Sequence, residues 1–278
     1  MSTRGAGMRA SFLRLIWAAA LLSAFAQPAK AENTGDLYQA YAIVTGTDMR
    51  QRPWGMAQCL REVLVKVSGD PRLKDDPRVL DLAAQAERFV ASFDYVDMMA
   101  GIPKKDDQGS YDRPHRLTVH FDPAKIDAIL AELGEVPWRG ERPVVVPIVR
   151  VNGRKPPPYV LSGEVPEGEE QRGSFVNAAS EFGMTVRLPS DAELAGWGVA
   201  VDHFPYPEAP PPEPKSGQAI VVGTLEWSET LPGWIGSWRT RWQGADHAWQ
   251  ISGVNYDAAF RDIVRGVVLL ASGRGAPD

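Results

Sequence analysis

The residues best placed to do chemistry are tryptophans. Trp227, Trp234, Trp238, Trp242 and Trp249 crowd one stretch of the C-terminal half. On a regular strand, Trp234, Gly236, Trp238, Thr240 and Trp242 share one face, and Ile235, Ser237, Arg239 and Arg241 share the other. An exposed row of indoles stacks on sugar rings or on a peptide, and Gly236 would leave a slot between two of them. Trp234, Trp238 and Trp242 are therefore candidate binding residues. The competing expectation is a core-facing row covered by a helix that starts at Asn255. It rests on the large apolar area of indole and on the arginines of the opposite face, which prefer water. Asp70 is the other candidate. It follows Ser68-Gly69 at a helix-to-loop corner, where a turn-capping carboxylate is the plainer account.

Reactive constellations are missing from the sequence pattern. It contains no G-x-S-x-G elbow, H-E-x-x-H helix, G-x-x-x-x-G-K loop or G-x-G-x-x-G after a strand. His115 and His120 are five apart beside one strand, so a regular strand sends them to opposite faces and they chelate no common metal. Asp75-Asp76, Asp106-Asp107 and Glu167, Glu169 and Glu170 read as solvated turns or helix starts. Cys59 is the only cysteine, which excludes an intramolecular disulfide and a thiolate cluster. It sits in an apolar helical stripe and reads as a small buried hydrophobe. No catalytic residue, metal or cofactor is assigned.

The chain has 278 residues, 44% hydrophobic and 23% charged, an ordinary globular balance. Its beginning is different. Arg4, Arg9 and Arg14 precede an apolar run from Leu15 to Ala26, and Ala29-Lys30-Ala31 forms an A-x-A site. That is the pattern of a secretory signal peptide over residues 1–31, cleaved after Ala31. The run is about half of the ~20 residues that span a bilayer, so the mature chain is not expected to be an integral membrane protein. Removing it takes away four basic residues and no acid. The remainder carries 26 basic against 35 acidic residues, a net charge of −9. Nucleic acid and anionic membranes need clustered Lys and Arg, so neither is expected as a partner.

Positioning elements follow from hydrophobic spacing. The organising stretch is Trp54–Leu73, with Met56, Ala57, Leu60, Val63, Leu64 and Val67 on one helical stripe that Ser68-Gly69 and Asp70-Pro71 stop. Strands are predicted at Leu37–Thr45, Ser92–Met99 and Arg116–Phe121, and a second helix runs from Asp76-Pro77 to Val90. Asp122 caps a helix carrying Ile126, Ile129, Leu130 and Leu133. After a short link at Trp138–Arg142, Pro143–Val151 is a nearly continuous apolar run, as in a strand buried on both faces. A short strand around Tyr159, a helix over 167–182 and a strand at Met184–Leu188 come next. The stretch 204–217 is proline-rich and reads as a semi-rigid connection. Three strands, Gln218–Trp227, Trp234–Trp242 and Ala248–Val254, precede a last helix with Phe260, Ile263, Val264, Val267 and Val268 on its stripe. The expected fold class is α+β, as two mixed α/β units, 32–137 and 138–278, each a small sheet packed against helices.

Three pieces resemble a known family. They are LREVLVKVSGDPRL at Leu60–Leu73, VHFDPAKIDAIL at Val119–Leu130 and VPWRGERPVVVPIVRV at Val136–Val151. Together, in this order, they resemble an exported bacterial family catalogued as domain of unknown function 2066. Trp227–Trp249 is similar to its tryptophan-bearing C-terminal part. The resemblance implies export to the envelope and a mixed α/β build, and it carries no reaction, cofactor or catalytic residue.

The reading these residues favour is an exported, periplasmic, non-catalytic binding or assembly module with an envelope protein or cell-wall partner. An envelope glycan or peptide hydrolase and a small-ligand carrier are the alternatives.

Overall fold

A computed structural model describes residues 37–102, 113–155, 157–164, 168–204 and 212–278. The segment 1–31 expected to be a signal peptide, Asp106-Asp107, Glu167 and half of the proline-rich stretch lie outside the described residues.

The described chain is α+β. A first, three-stranded antiparallel sheet has the order β1 (Gln39–Thr45), β3 (Pro114–Phe121), β2 (Val90–Asp97). Ala40, Ala42 and Val44 alternate with exposed residues along β1, and Leu117, Val119 and Phe121 alternate with half-buried ones along β3. That period of two turns one sheet face toward the helices. Against it lies α1 (Arg52–Ser68), with Pro53 in its first turn, where a missing N–H costs nothing. Its apolar stripe of Met56, Cys59, Leu60, Val63, Leu64 and Val67 is buried. Gly69 ends the helix at φ 69° and donates its N–H to the carbonyl of Val65. α3 (Pro123–Glu132) starts as its sequence dictates, with Asp122 accepting from the amides of Ala124 and Lys125.

The second helix is shorter than its apolar residues suggest. α2 (Pro77–Ala83) stops early, and a separate 3₁₀ turn covers Ala86–Phe89. Val79, Ala83 and Ala86 are buried while Leu80 faces solvent, so only one narrow stripe has a core to pack against.

A second sheet has the order β5 (Tyr159–Val160), β4 (Val144–Asn152), β7 (Gln218–Ser228), β8 (Gly233–Trp242), β9 (Ala245–Val254), with β6 (Thr185–Val186) also beside β4. β4 runs parallel to β7 and β6, and β7, β8 and β9 form an antiparallel meander. β4 is covered on both faces. Val145, Val149 and Val151 join the main core, while Val146 and Ile148 join a smaller cluster with Leu194, Val199, Ile220 and Val222. Pro147 sits in the middle of this strand, where proline is ordinarily excluded. The carbonyls of Val145 and Val149 accept from Arg187 and Leu161, on the side that β6 and β5 occupy. Residue 147 points the same way. β6 pairs at Val144 and Val145, and β5 at Arg150 and Val151, so Pro147 faces the gap between them and forfeits no hydrogen bond.

α4 (Glu169–Glu181) and α6 (Tyr256–Ala271) cover the main-core side, with Phe175 stacked on Phe260 at 4.0 Å between centroids. α5 (Asp191–Gly196) covers part of the other side and opens with a capping box between Ser190 and Glu193. That short helix was not foreseen. The described residues form one compact body, and one buried cluster runs from Ala40 and Val63 to Val145 and Phe260.

The C-terminal end of α1 is the joint. Trp138 donates its N–H to the carbonyl of Val67 at 2.7 Å, and Arg142 Nη2 donates to the carbonyl of Lys66 at 2.7 Å. Ser272, just past α6, donates Oγ–H to the carbonyl of Gly69 at 2.9 Å.

Candidate functional site

The tryptophan row faces inward. Trp238 has 0% exposure, and its indole N–H donates to Oδ2 of Asp262 on α6 at 3.2 Å. A ring with no exposed face stacks on no ligand. The slot at Gly236 is filled from within: a Cβ there would lie 2.2 Å from the Trp238 ring, and one at Gly223 of β7 would lie 2.4 Å from it. These glycines make room for an indole of the same chain rather than for a guest. Gly266 on α6 does the same for Trp249. Trp234 and Trp242 are half-buried and pack against the same core. Trp227 meets Trp234 edge to face at 5.6 Å, with the Arg154 guanidinium 5.0 Å from the Trp227 ring centre.

Asp70 is a joint residue. It is 2% exposed and caps the 3₁₀ turn Pro71–Asp75, accepting from the amide of Arg72 at 3.0 Å. The Arg72 guanidinium adds bonds of 2.8 and 2.7 Å to its two oxygens, and Arg274 Nη1 stands 3.9 Å away. Burial disfavours the charge, but the bonds from Arg72 outweigh it and hold the carboxyl below its ordinary value. All of these partners belong to the chain itself.

The other titratable candidates are also accounted for. Burial, with Glu62 nearby, pushes the Cys59 thiol up to about 12, so it carries no thiolate at neutral pH. His115 pairs across to Val44 and His120 to Gln39, which puts them on opposite faces of β3. Among the described residues no group of three or more His, Cys, Asp or Glu is placed to hold a metal ion. No helix among them is long and apolar enough to cross a membrane.

Two surface features remain, and neither was singled out from sequence. The first is the three-stranded sheet itself. Its outer face carries Tyr41, Thr118 and Asp94 in one row and Ile43, Arg116 and Val96 in the next. Twelve large hydrophobic residues are exposed among the described residues. Eight lie on or beside this sheet: Tyr41, Ile43, Phe93 and Val96 on its strands, Met49, Met98 and Ile102 in the turns leaving β1 and β2, and Trp54 in the first turn of α1. Such concentration marks contact surfaces, whereas scattered single residues do not. β2 is an edge strand exposed on both faces for most of its length. Arg52 closes one end of it, with Nε donating to the Tyr95 hydroxyl at 3.0 Å and the guanidinium 4.8 Å above the Phe93 ring.

The second feature is a polar cleft of about 230 Å³ between α1 and α4, with Tyr41 at its mouth. Its charged groups are paired. Glu62 binds Lys66 at 2.7 Å, Arg61 binds Asp75 at 2.8 Å, and Glu181 takes Arg261 at 2.8 Å and Lys74 at 3.4 Å. Burial pushes Glu62 above its ordinary value despite Lys66, while Arg261 and Lys74 overcome burial and hold Glu181 below it.

Residues 31–139 match a family model described as Domain of unknown function (DUF8605). The matched stretch spans the three-stranded sheet with α1 to α3. The family's number differs from 2066, to which the ordered motifs pointed. No curated protein and no solved structure matches the chain.

Proposed function

We propose that this chain is an exported, periplasmic, non-catalytic binding module that holds an extended segment of an envelope protein along β2. The carrying observation is the concentration of exposed apolar side chains on the three-stranded sheet, beside an edge strand with no strand partner on its outer side among the described residues. An edge of this kind pairs with an added strand through its backbone, and side chains on the two faces supply selectivity. Asp94, mid-strand and exposed, has no ion-pair or hydrogen-bond partner among the described residues. It favours a guest strand with Lys or Arg opposite it. It also opposes self-pairing, since two copies aligned about this position set one carboxylate against another. Export rests on the Arg4 to Ala31 pattern.

Hydrogen exchange tests the binding reading. Synthetic eight-residue peptides alternating Val with Lys, or Val with Glu, are added to the chain starting at Glu32. The Lys peptide should slow exchange of β2 amides and the Glu peptide should not, and Asp94→Lys should reverse the preference. Failure of both peptides to protect β2 overturns the reading. Cell fractionation tests export separately: intact chain retained in the cytosol sinks it.

A further inference from the structure

The cleft between α1 and α4 has two layers of chemistry. Its floor is a closed set of ion pairs. Lys66 is itself buried and reaches both Glu62 and the carbonyl of Gln39, the latter at 2.9 Å. Glu181 is gripped by both nitrogens of the Arg261 fork, at 2.8 and 2.9 Å. Arg61 spends its guanidinium on Asp75 and on the carbonyl of Lys74 at 2.7 Å. Four cations share three carboxylates here, so each charge has a partner and no carboxylate is left free.

The rim is different. Gln58 on α1, Asn177 and Ser180 on α4, and Tyr41 on β1 all line the opening. None of these side chains makes a hydrogen bond to another described residue. They present two amides, a hydroxyl and a phenol ring to one concavity. Amides both donate and accept, which matches vicinal hydroxyls, and an aromatic ring covers the apolar C–H face of a pyranose. The volume falls below the 300–1,000 Å³ usual for drug-sized ligands, so the cleft has room for about one ring.

We propose that this cleft is a subsite for a single neutral sugar residue, hydrogen-bonded by Gln58, Asn177 and Ser180 and covered by Tyr41. The subsite is independent of the β2 edge. The ion pairs beneath it hold the two walls together and set their spacing. The carboxylates Glu62 and Glu181 are consumed in those pairs, so the subsite binds and does not cleave.

Saturation-transfer NMR on the chain starting at Glu32 tests this, with di-N-acetylchitobiose and cellobiose as sugar probes and a glycine dipeptide amide as comparison. The sugars should receive saturation and the dipeptide should not. Gln58→Ala with Asn177→Ala should weaken sugar binding about tenfold, since each lost neutral hydrogen bond is worth about 0.5–1.5 kcal/mol. Both positions are exposed and make no protein bond, so the thermal midpoint should stay where it was. Ser180→Trp, which fills the opening, should abolish the signal as a second check. Saturation of neither sugar, equal signals from wild type and both variants, or binding of the dipeptide alone each overturns the subsite. None of these outcomes bears on protection of the β2 amides.

Discussion

Trp238 on β8 and Asp262 on α6 are joined inside the core by an indole N–H to carboxylate bond of 3.2 Å. Asp262 is held from its other side by Arg265 Nε at 3.1 Å, while burial pushes the carboxyl above its ordinary value. Removing the acceptor with Asp262→Ala strands a fully buried N–H and leaves Arg265 without this bond. The expected loss is about 1–3 kcal/mol, measured by chemical denaturation. An unchanged midpoint would show that the bond contributes nothing.

Gly236→Ala tests the same packing from below. Its new methyl would sit 2.2 Å from a rigid indole that has nowhere to move, because Gly223 holds the facing strand equally close. About 3 kcal/mol of overpacking cost is expected, or a fall of roughly 6–12 °C in the thermal midpoint. A silent substitution would mean that the indole leaves the core, and the binding role first considered for Trp238 would return.

Cys59 gives a labelling prediction. With the thiol pushed up to about 12 and the side chain at 0% exposure, iodoacetamide at pH 8 should leave folded protein unmodified and modify it fully in denaturant. Rapid labelling under native conditions would place the helix stripe in solvent.

Two carboxylates should give pH profiles of opposite sign. Glu62 is raised above 4.5 in the fold, chiefly by burial, so its contribution is complete below pH 4.5 and is lost as pH rises through the folded value. Asp70 is lowered below 3.8, because Arg72 outweighs the burial that would raise it. Its contribution is present above pH 3.8 and is lost as pH falls through the folded value. Wild type should therefore lose stability relative to Glu62→Gln toward neutrality, and relative to Asp70→Asn toward acid. Denaturation midpoints between pH 3 and pH 8 read both differences.

Much of this architecture was legible in residue spacing. Asp122-Pro123 named its helix start, and Asn255 its own, because capping is local chemistry. The run from Pro143 to Val151 announced a strand covered twice. The α5 helix escaped notice because it is six residues long and buries little beyond Leu194. The strand at β9 begins three residues earlier than its pattern suggests, since Ala245, Asp246 and His247 pair with β8 while facing water. The tryptophan row illustrates a limit of another kind. Alternation identifies a face and left both a bound ligand and the Asn255 helix as its cover; the fold supplies the helix, with Gly223 and Gly266 making room for the indoles. The cleft and the apolar sheet were invisible for the same reason: each joins side chains whose nearness exists only after folding.

Asp70 and the tryptophans drew attention because they are chemically conspicuous. The residues lining the cleft, Gln58, Asn177 and Ser180, are ordinary helix-surface residues one at a time. Only the meeting of α1 with α4 makes them a set.

The hydroxyl that Ser272 gives to the Gly69 carbonyl spans 203 residues of chain. Gly69 accepts it at φ 69°, in a corner where a Cβ would press on both Ser272 and Trp138 at 2.8 Å. The corner is therefore cut for a partner that α6 carries in from 203 residues away. A single glycine thus joins the end of the first helix to the end of the last, and the two ends share one fitted contact.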